Sequence, residues 1–411
     1  MSPEAVTAKT RILVINCGSS SIKYALIAMG EECRVAGGFL ERIGESGSLL
    51  HYRRTDPDGR LIEMEGEVTA RNQGEAFHHI FEAMRSTGNL LEDPPITAIG
   101  HRVVHGGEAF TSPTLINSDV IQGLHSIGDL APLHNPANIA GIEICTEIFP
   151  DLPNVAVFDT AFHQTMPPRA FRYAIPEEWY RDHGVRRFGF HGTSHRYVAS
   201  RAAKFLDRPL DTLHLITLHL GNGASASAIQ RGRCIDTSMG FTPAEGLIMG
   251  TRCGDLDPTV PLYMQKRSGA TIDRLNHALN YESGLKGLCG TNDMREILLR
   301  ADALDEHATL AVELYCYRIK KYIGSYSAAL GRVDALIFTG GVGENSERVR
   351  RKSCEGLERF GIAIDQEAND NAGGEVTEIG QEGSPVRILV IRTDEELQIA
   401  IETLTVIRAG K

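Results

Sequence analysis

RILVINCGSSSIKYALIA, residues 11–28, reads as strand, tight polar turn, strand. An apolar, β-branched run from Ile12 to Ile15 meets Asn16, Gly18 and three serines, and a second apolar run from Ile22 to Ile27 begins around Lys23. Residues 213–229 repeat the plan: Leu215 to Leu220 lead into Gly221, Asn222, Gly223 and Ser225, and a short run to Ile229 follows. Two hairpins of one design imply two related half-domains.

Outward from the first hairpin, residues 33–43, 49–53 and 61–68 read as further strands of an antiparallel-rich sheet. Over 73–87 the period changes, because Ala76, Phe77, Ile80, Phe81 and Met84 fall on one face of a helix. A buried strand over 96–104 ends in the polar cluster His105, Gly106, Gly107, Glu108; helices over 117–127 and 136–149 follow, and a strand over 154–158 delivers Asp159. Strands joined by crossover helices make an α/β domain. Further on come a helix over 193–205, the second hairpin, a strand over 234–237 and the longest apolar-periodic helix, 308–330. A strand over 335–338 then enters a glycine-rich turn at Thr339 to Asn345, and a last strand spans 386–391. Thr393 with Glu396 fits a capping box for a C-terminal helix. No low-complexity linker divides the chain, so the boundary follows the repeat. It gives an N-terminal domain over 1–159 and a C-terminal domain over 160–392, with the helix 393–411 packing back on the first.

A length of 411 residues suits about two to three domains. A formal charge of −11 argues against a nucleic-acid binder, since a phosphate backbone needs a basic face; any anionic ligand must be held by local Arg and Lys. The eight cysteines form no CxxC pair, so they signal neither a zinc site nor a disulfide framework and read as reduced thiols. No apolar segment approaches the ~20 residues that span a bilayer, and residues 1–10 lack the basic and apolar regions of a signal peptide. The expectation is a cytoplasmic protein.

No G-x-x-x-x-G-K-[ST] motif occurs, which excludes a P-loop nucleotide binder. A turn of small residues still lets N–H groups approach phosphate oxygens, and Asn16, Ser19, Ser21 and Lys23 add donors and one cation. Alone such a hairpin is more often a plain turn; its recurrence at Gly221 to Ser225 favours phosphate. Arg102 in GHRVVHGG and Arg252 in GTRCGDLDP stand among glycines. Each is either a surface ion pair, worth about 0–1 kcal/mol, or half of a clamp on a carboxylate or phosphoryl group. His191 precedes a helix start, where amides favour an anion, yet a lone His is commonly structural. Asp159 is a turn cap or a ligand of Mg²⁺ or its water. Glu395 is not needed for the capping box and reads as dipole complementarity or a metal ligand. The Thr339 to Asn345 turn suits a nucleotide contact.

Taken together, N-x-G-S-S-S-x-K from Asn16, HRVVHGG, FDTAFHQTMP from Phe158, FGFHGTSH from Phe188, HLGNGAS from His219, GTRCGDLDP, TGGVGEN and TDEE resemble the acetate kinase family. The motifs keep the family's order from residue 12 to 400. The resemblance implies two duplicated actin-like (ribonuclease H-like) α/β domains flanking a nucleotide cleft, closing on ATP to exclude water. It implies transfer of the ATP γ-phosphoryl group to acetate, giving acetyl phosphate and ADP, with Mg²⁺, or Mn²⁺ in its stead. Arg102 and Arg252 match the acetate and phosphoryl clamps and His191 the donor to the phosphoryl oxygens; with Asp159 they form the catalytic set. Asp159 and Glu395 match the magnesium-site carboxylates, and Asn16 joins the metal side. Asn16, Ser19, Ser21 and Lys23 resemble one phosphate cluster, and His219, Gly221, Asn222 and Gly223 the other. Asp293, Met294 and Arg295, with Gly341, Gly343, Glu344 and Asn345, match the adenosine neighbourhood. Val104, Leu133, Phe190 and Pro243 resemble the pocket for the acetate methyl. The family also implies a homodimer; that neither nucleic acid nor membrane is a partner is expected from the charge and the lack of a spanning apolar segment. Two positions depart from its pattern: Cys253 stands where Ser is expected and Asp394 where Asn is expected.

Competing readings are a propionate or other short-chain carboxylate kinase, a non-catalytic ATP-driven switch, and a sugar kinase. A switch has no need of two clamp arginines, and an alcohol acceptor needs a catalytic base that a carboxylate, already ionised at neutral pH, does not.

Overall fold

The computed structural model describes residues 10–55, 58–88, 95–132 and 134–410; Leu133, one of the methyl-pocket residues anticipated above, lies outside the described residues. The chain divides into two compact units, Met1–Ala161 with Asp394–Lys411, and Phe162–Thr393.

The first unit is built on an eight-stranded sheet: β1 (Arg11–Cys17), β2 (Ser21–Ala28), β3 (Cys33–Glu41), β4 (Ser48–Thr55), β5 (Leu61–Val68), β6 (Ile96–Val103), β7 (Thr114–Leu115) and β8 (Asn154–Phe158), in the order β5-β4-β3-β2-β1-β6-β8-β7. β1 and β2 pair antiparallel from Arg11↔Ala28 to Cys17↔Ile22, while β6 runs parallel to both β1 and β8. β1 is therefore interior, and Ile12 to Ile15 are buried on both faces of the sheet. Helix α1 (Gln73–Ser86) starts where the Asn72 side chain accepts from the Glu75 amide. Its stripe of Phe77, Ile80, Phe81 and Met84 enters one cluster with Ile15, Tyr24 and Leu40. Each such burial contributes about 1.5–3 kcal/mol. Helix α2 (Asn135–Ile148) lies against β1 and β6.

The second unit carries a six-stranded sheet: β9 (His214–Leu220), β10 (Ala224–Gln230), β11 (Arg233–Thr237), β12 (Ala335–Thr339), β13 (Val376–Glu378) and β14 (Arg387–Ile391), in the order β11-β10-β9-β12-β14-β13. The second hairpin runs from His214↔Gln230 to Leu220↔Ala224. Helix α3 (Gly192–Phe205) packs on β9, β12 and β14, and α4 (Glu306–Leu330) on β9 and β10. The short helix α5 (Gly340–Asn345) begins directly after β12.

Both sheets share one plan. Three antiparallel strands, β3-β2-β1 or β11-β10-β9, are followed by two parallel ones, β6-β8 or β12-β14, and a short antiparallel edge strand. The duplicated α/β architecture is thus present over six strands of each sheet, with β4 and β5 extending the first. The connections also mirror each other: the first helix of full length after β8, α3, packs in the second unit, and the helix after β14, α6 (Glu395–Ala409), packs on β1, β6 and β8 of the first.

The approach of α6 to its sheet depends on Gly100. A Cβ there would stand 2.4 Å from Thr403 Oγ1 and 2.9 Å from Ile399 Cγ2, so only glycine lets the helix lie this close. The cap of α6 differs from the capping box read in the sequence. Asp394 is the N-cap and accepts from the Leu397 amide at 2.9 Å. Thr393 Oγ1 lies 2.9 Å from Ser194 Oγ, and Glu396 pairs with Arg34 at 3.4 Å. The physical reason is that a carboxylate is a stronger acceptor than a hydroxyl at the positive end of a helix.

Candidate active site

In the first unit, strand ends deliver the functional groups. β6 carries Arg102 and β8 leads into Asp159, and the two side chains form a bidentate pair: Nε donates to Oδ1 at 3.0 Å and Nη2 to Oδ2 at 2.7 Å. The Asp159 side chain is 2% exposed and that of Arg102 19%. Burial alone would lower the Arg102 guanidinium, but the neighbouring carboxylates of Asp159 and Glu395 raise it, so it remains cationic. Glu395 sits in the first turn of α6. Burial and the nearby Asp159 raise its carboxyl, with Arg102 opposing, and its Oε1 is buried without a hydrogen-bond partner.

An orphaned carboxylate oxygen beside a second carboxylate fits a divalent cation. Among the described residues no group of three or more His, Cys, Asp and Glu is placed to hold a metal.

The turn at Gly18 is held by its amide donating to the Ser21 carbonyl at 2.7 Å. Asn16 and Lys23 are directly paired across β1 and β2, so their side chains share a face; Ser19 and Lys23 are exposed. Two residues that the sequence reading missed fix this end of the sheet. Asn138 Oδ1 accepts from the Val104 amide at 3.0 Å while its Nδ2 donates to the Cys17 carbonyl at 2.7 Å, tying the end of β6 to the end of β1. Asn135 exchanges two bonds with the His105 backbone at 3.2 and 3.0 Å. The available signal was N-P-A-N at a helix start, where two buried asparagines in the first turn seek backbone partners.

In the second unit, His191 precedes α3 with a left-handed φ of 57°, uncommon for a residue with a side chain. Its ring stacks on His219 at 4.3 Å, and its Nδ1 lies 2.9 Å from Ser225 Oγ. The turn at Gly221 closes by its amide donating to the Gly223 carbonyl at 3.0 Å. Gly223 lies directly against the catalytic candidates: a Cβ there would stand 3.2 Å from both Cε1 and Nε2 of His191 and 3.5 Å from Nη1 of Arg252. Arg252 Nη1 also donates to the carbonyl of Pro243 at 2.9 Å. His191, Gly223, Arg252 and Pro243 are therefore one cluster. Phe190 is buried beside it, its carbonyl held by His163 Nε2 at 2.8 Å.

The two arginines differ in a way that matters chemically. Arg102 arrives neutralised by Asp159, whereas burial lowers the Arg252 guanidinium with only Tyr281 opposing. A half-buried guanidinium with no carboxylate partner among the described residues is suited to an anionic ligand.

The residues matched to adenosine are near one another in sequence groups but are differently engaged. Asp293 caps the helix Met294–Asp302 and forms an exposed pair with Arg295 at 2.7 Å. Asn222 Oδ1 accepts from Asn292 Nδ2 at 2.9 Å, which brings the Gly221 to Gly223 turn to the Asp293 segment. Asn292 was not singled out in the sequence. In α5, Gly341 is exposed with open space where a Cβ would stand, whereas Gly343 is buried against Leu218 and Leu220 of β9, and Asn345 Nδ2 donates to the Gly341 carbonyl at 2.8 Å. Glu344 Oε1 accepts from the amides of Gly340 at 2.9 Å and Thr393 at 3.1 Å, so it holds the ends of β12 and β14 together. His219 Nδ1 lies 2.8 Å from Ser194 Oγ.

Two α/β units built on one strand plan, each presenting a polar hairpin turn, with Arg102 at the end of a strand in the first and Arg252 in a loop against the turn of the second, are the frame of a phosphotransferase. The chain belongs to the acetokinase family, whose profile matches residues 11–401. An acetate kinase of Syntrophobacter fumaroxidans is 54% identical over 402 residues, 97% of this chain and 98% of the other. One from Sulfurovum sp. is 50% identical over 400 residues, 97% and 99% of the two chains. Among solved structures, acetate kinase of Porphyromonas gingivalis superposes with a TM-score of 0.91 at 43% identity, covering 97% of this chain and 100% of that one. A propionate kinase of Francisella tularensis gives 0.90 at 42%, covering 96% and 99%. The protein is accordingly a kinase that transfers phosphate to a carboxylate, with ATP and ADP as its nucleotides. No helix among the described residues is long and apolar enough to cross a membrane.

Proposed function

We propose that the protein catalyses the reversible, Mg²⁺-dependent transfer of the ATP γ-phosphoryl group to acetate, giving acetyl phosphate and ADP, by direct in-line displacement in the cytoplasm. An acetate carboxylate oxygen attacks the γ-phosphorus, the bond from that phosphorus to the β–γ bridging oxygen breaks, and ADP leaves with the electron pair. The nucleophile is ionised at neutral pH, so no general base is required. The work left to the protein is alignment and neutralisation of charge. The observation that carries the reading is the clustering of His191 and the half-buried Arg252 against Gly223.

In this account Arg252 and the Nε2 edge of His191 donate to the transferring phosphoryl oxygens. Arg102, oriented by its two bonds to Asp159, binds the acetate carboxylate. Val104, Leu133, Phe190 and Pro243 receive the methyl group. Asn16, Ser19, Ser21 and Lys23 serve one side of the phosphates and His219, Gly221, Asn222 and Gly223 the other. Asp293, Met294 and Arg295, with Gly341, Gly343 and Asn345, border the adenosine, and Glu344 acts by holding that loop in place. Glu395, with Asn16 and with Asp159 directly or through water, would hold Mg²⁺, for which Mn²⁺ can substitute; the bound ion supplies positive charge to the phosphate oxygens.

A second reading, a propionate kinase, is favoured by the near-equal similarity to the Francisella tularensis propionate kinase. Val104, half-buried at the end of β6, is the residue proposed to favour acetate. The test is a coupled assay with acetate, propionate, butyrate and glycerol, with and without Mg²⁺. ATP turnover that requires Mg²⁺ and is fastest with acetate supports the proposal; turnover without a carboxylate acceptor, or preference for glycerol, rejects it.

A homodimer is also part of the proposal. The helices Thr259–Ser268 and Ile272–Tyr281 contain no buried residue, yet they display Val260, Leu262, Tyr263, Met264, Ile272 and Tyr281. Helices so devoid of buried contacts gain their stability from a covering surface, and a second copy of this chain is the proposed cover. Sedimentation should give a dimer that Leu262→Asp with Tyr263→Asp converts to monomer; a wild-type monomer at micromolar concentration would reject it.

A further inference from the structure

A chain of side chains runs behind His191 and lies wholly within the second unit. His191 Nδ1 is 2.9 Å from Ser225 Oγ, which is 2.8 Å from His195 Nε2; His195 Nδ1 in turn is 2.7 Å from Thr217 Oγ1. Ser225, His195 and Thr217 are all fully buried. We propose that Thr217, His195 and Ser225 are positioning residues that fix the proton of neutral His191 on Nε2, the edge facing Gly223 and Arg252. The inference deepens the reading of His191 as a phosphoryl donor and rests on it.

Hydrogen-bond accounting selects this direction. Burial holds His195 well below its ordinary imidazole value, with His163 and His219 adding to the effect, so it is neutral and owns one N–H. Ser225 owns one proton and stands between two ring nitrogens, so the chain has two self-consistent orders.

In the first order, Thr217 donates to His195 Nδ1, His195 Nε2–H donates to Ser225, and Ser225 donates to His191 Nδ1. Thr217, His195 and Ser225 each use their donor, and the proton of neutral His191 resides on Nε2, outside the chain. In the second order, His195 Nδ1–H donates to Thr217, Ser225 donates to His195, and His191 Nδ1–H donates to Ser225. His191 then presents a lone pair at Nε2, which repels phosphoryl oxygens.

Thr217 decides between them. Its hydroxyl has no hydrogen bond among the described residues other than the one to His195. The second order leaves that buried hydroxyl proton without an acceptor, a recognised penalty, while the first uses the hydroxyl and ring donors of all three fully buried residues and leaves the His191 Nε2–H to face Gly223 and Arg252. The ring is further held by its stacking on His219, so rotation offers no alternative way to present an N–H.

The test is the ¹⁵N spectrum of the imidazole groups of the full-length protein at about pH 8, above the ordinary imidazole range, with steady-state kinetics on Ser225→Ala, Thr217→Val and Thr217→Ser. The wild type and Thr217→Ser should carry the His191 proton on Nε2. Ser225→Ala and Thr217→Val should populate the Nδ1–H tautomer and lower kcat about tenfold, with KM for acetate and ATP unchanged; a tenfold loss corresponds to about 1.4 kcal/mol. A wild-type His191 with its proton on Nδ1 overturns the inference without reference to any variant. So does an unchanged tautomer in both Ser225→Ala and Thr217→Val. A His191→Ala enzyme with normal turnover, found together with the wild-type Nε2–H signal, would instead sink the donor role and leave the proton chain standing.

Discussion

Gly223→Ala should cost activity without costing stability. The added methyl would sit 3.2 Å from Cε1 and Nε2 of His191 and 3.5 Å from Nη1 of Arg252, tighter than a relaxed carbon contact of about 3.5–4.0 Å. The His191 ring cannot retreat freely, since Ser225 holds Nδ1 at 2.9 Å and His219 stacks at 4.3 Å. It must shift by a few tenths of an ångström together with Arg252. Misplacement of reacting groups by about 1 Å can cost 10²-fold, so this smaller shift should lower kcat on the order of tenfold. The backbone at Gly223 is not in the left-handed region, so the gain of about 0.4–1 kcal/mol that alanine brings through the unfolded chain offsets the cost of the displaced ring and leaves the melting temperature little changed. A coupled assay and a thermal melt, run side by side, read the two effects. Near-normal kcat in Gly223→Ala, with His191→Ala and Arg252→Ala both severely impaired, would show that the glycine does not govern the cluster.

Other consequences are equally direct. Arg102→Ala and Arg252→Ala should each lower kcat by about 10²- to 10³-fold, as loss of a single electrostatic donor does elsewhere; near-normal turnover in both would refute the clamp. Val104→Ala should raise propionate turnover relative to acetate about tenfold or more, since one methylene is worth about 1–3 kcal/mol, and an unchanged ratio would remove the reason for preferring acetate. His101, buried and 2.8 Å from Asn154 Oδ1, is pushed down to about 4 by burial. Because its folded value lies below the unfolded one, the stability it preserves is present above about pH 6.5 and lost as pH falls toward 4, a total on the order of 3 kcal/mol. Urea unfolding of His101→Gln should therefore show a shallower loss across that window than the wild type, and parallel curves would contradict the assignment.

The duplicated hairpins were legible because a tight polar turn rich in Gly, Asn and Ser directly after a buried apolar run is a local signal. Residues 11–28 and 213–229 needed no knowledge of the rest of the chain, and both turns proved to hold three residues. Periodicity likewise exposed α1 and α4. The cap of α6 was misread because Thr393 and Glu396 satisfy a local pattern that Asp394, Ser194 and Arg34 outcompete through stronger or more distant contacts.

At the site, Arg102, His191 and Arg252 stood out by residue type. What sets their state did not. The pairing of Arg102 with Asp159 spans 57 residues and that of His191 with Ser225 spans 34, and no local pattern announces either. N-P-A-N marks Asn138 as a side chain in need of backbone partners, but that its partner is the Cys17 carbonyl, 121 residues away, is not legible locally.

The claim most exposed to a single measurement is that phosphate passes directly from ATP to the carboxylate, by positioning and charge neutralisation alone. ATP made chiral at the γ-phosphorus with oxygen isotopes, allowed one turnover with acetate, reports the number of displacements. The account predicts inversion of configuration in acetyl phosphate. Retention would require a phosphorylated enzyme intermediate and would contradict the account.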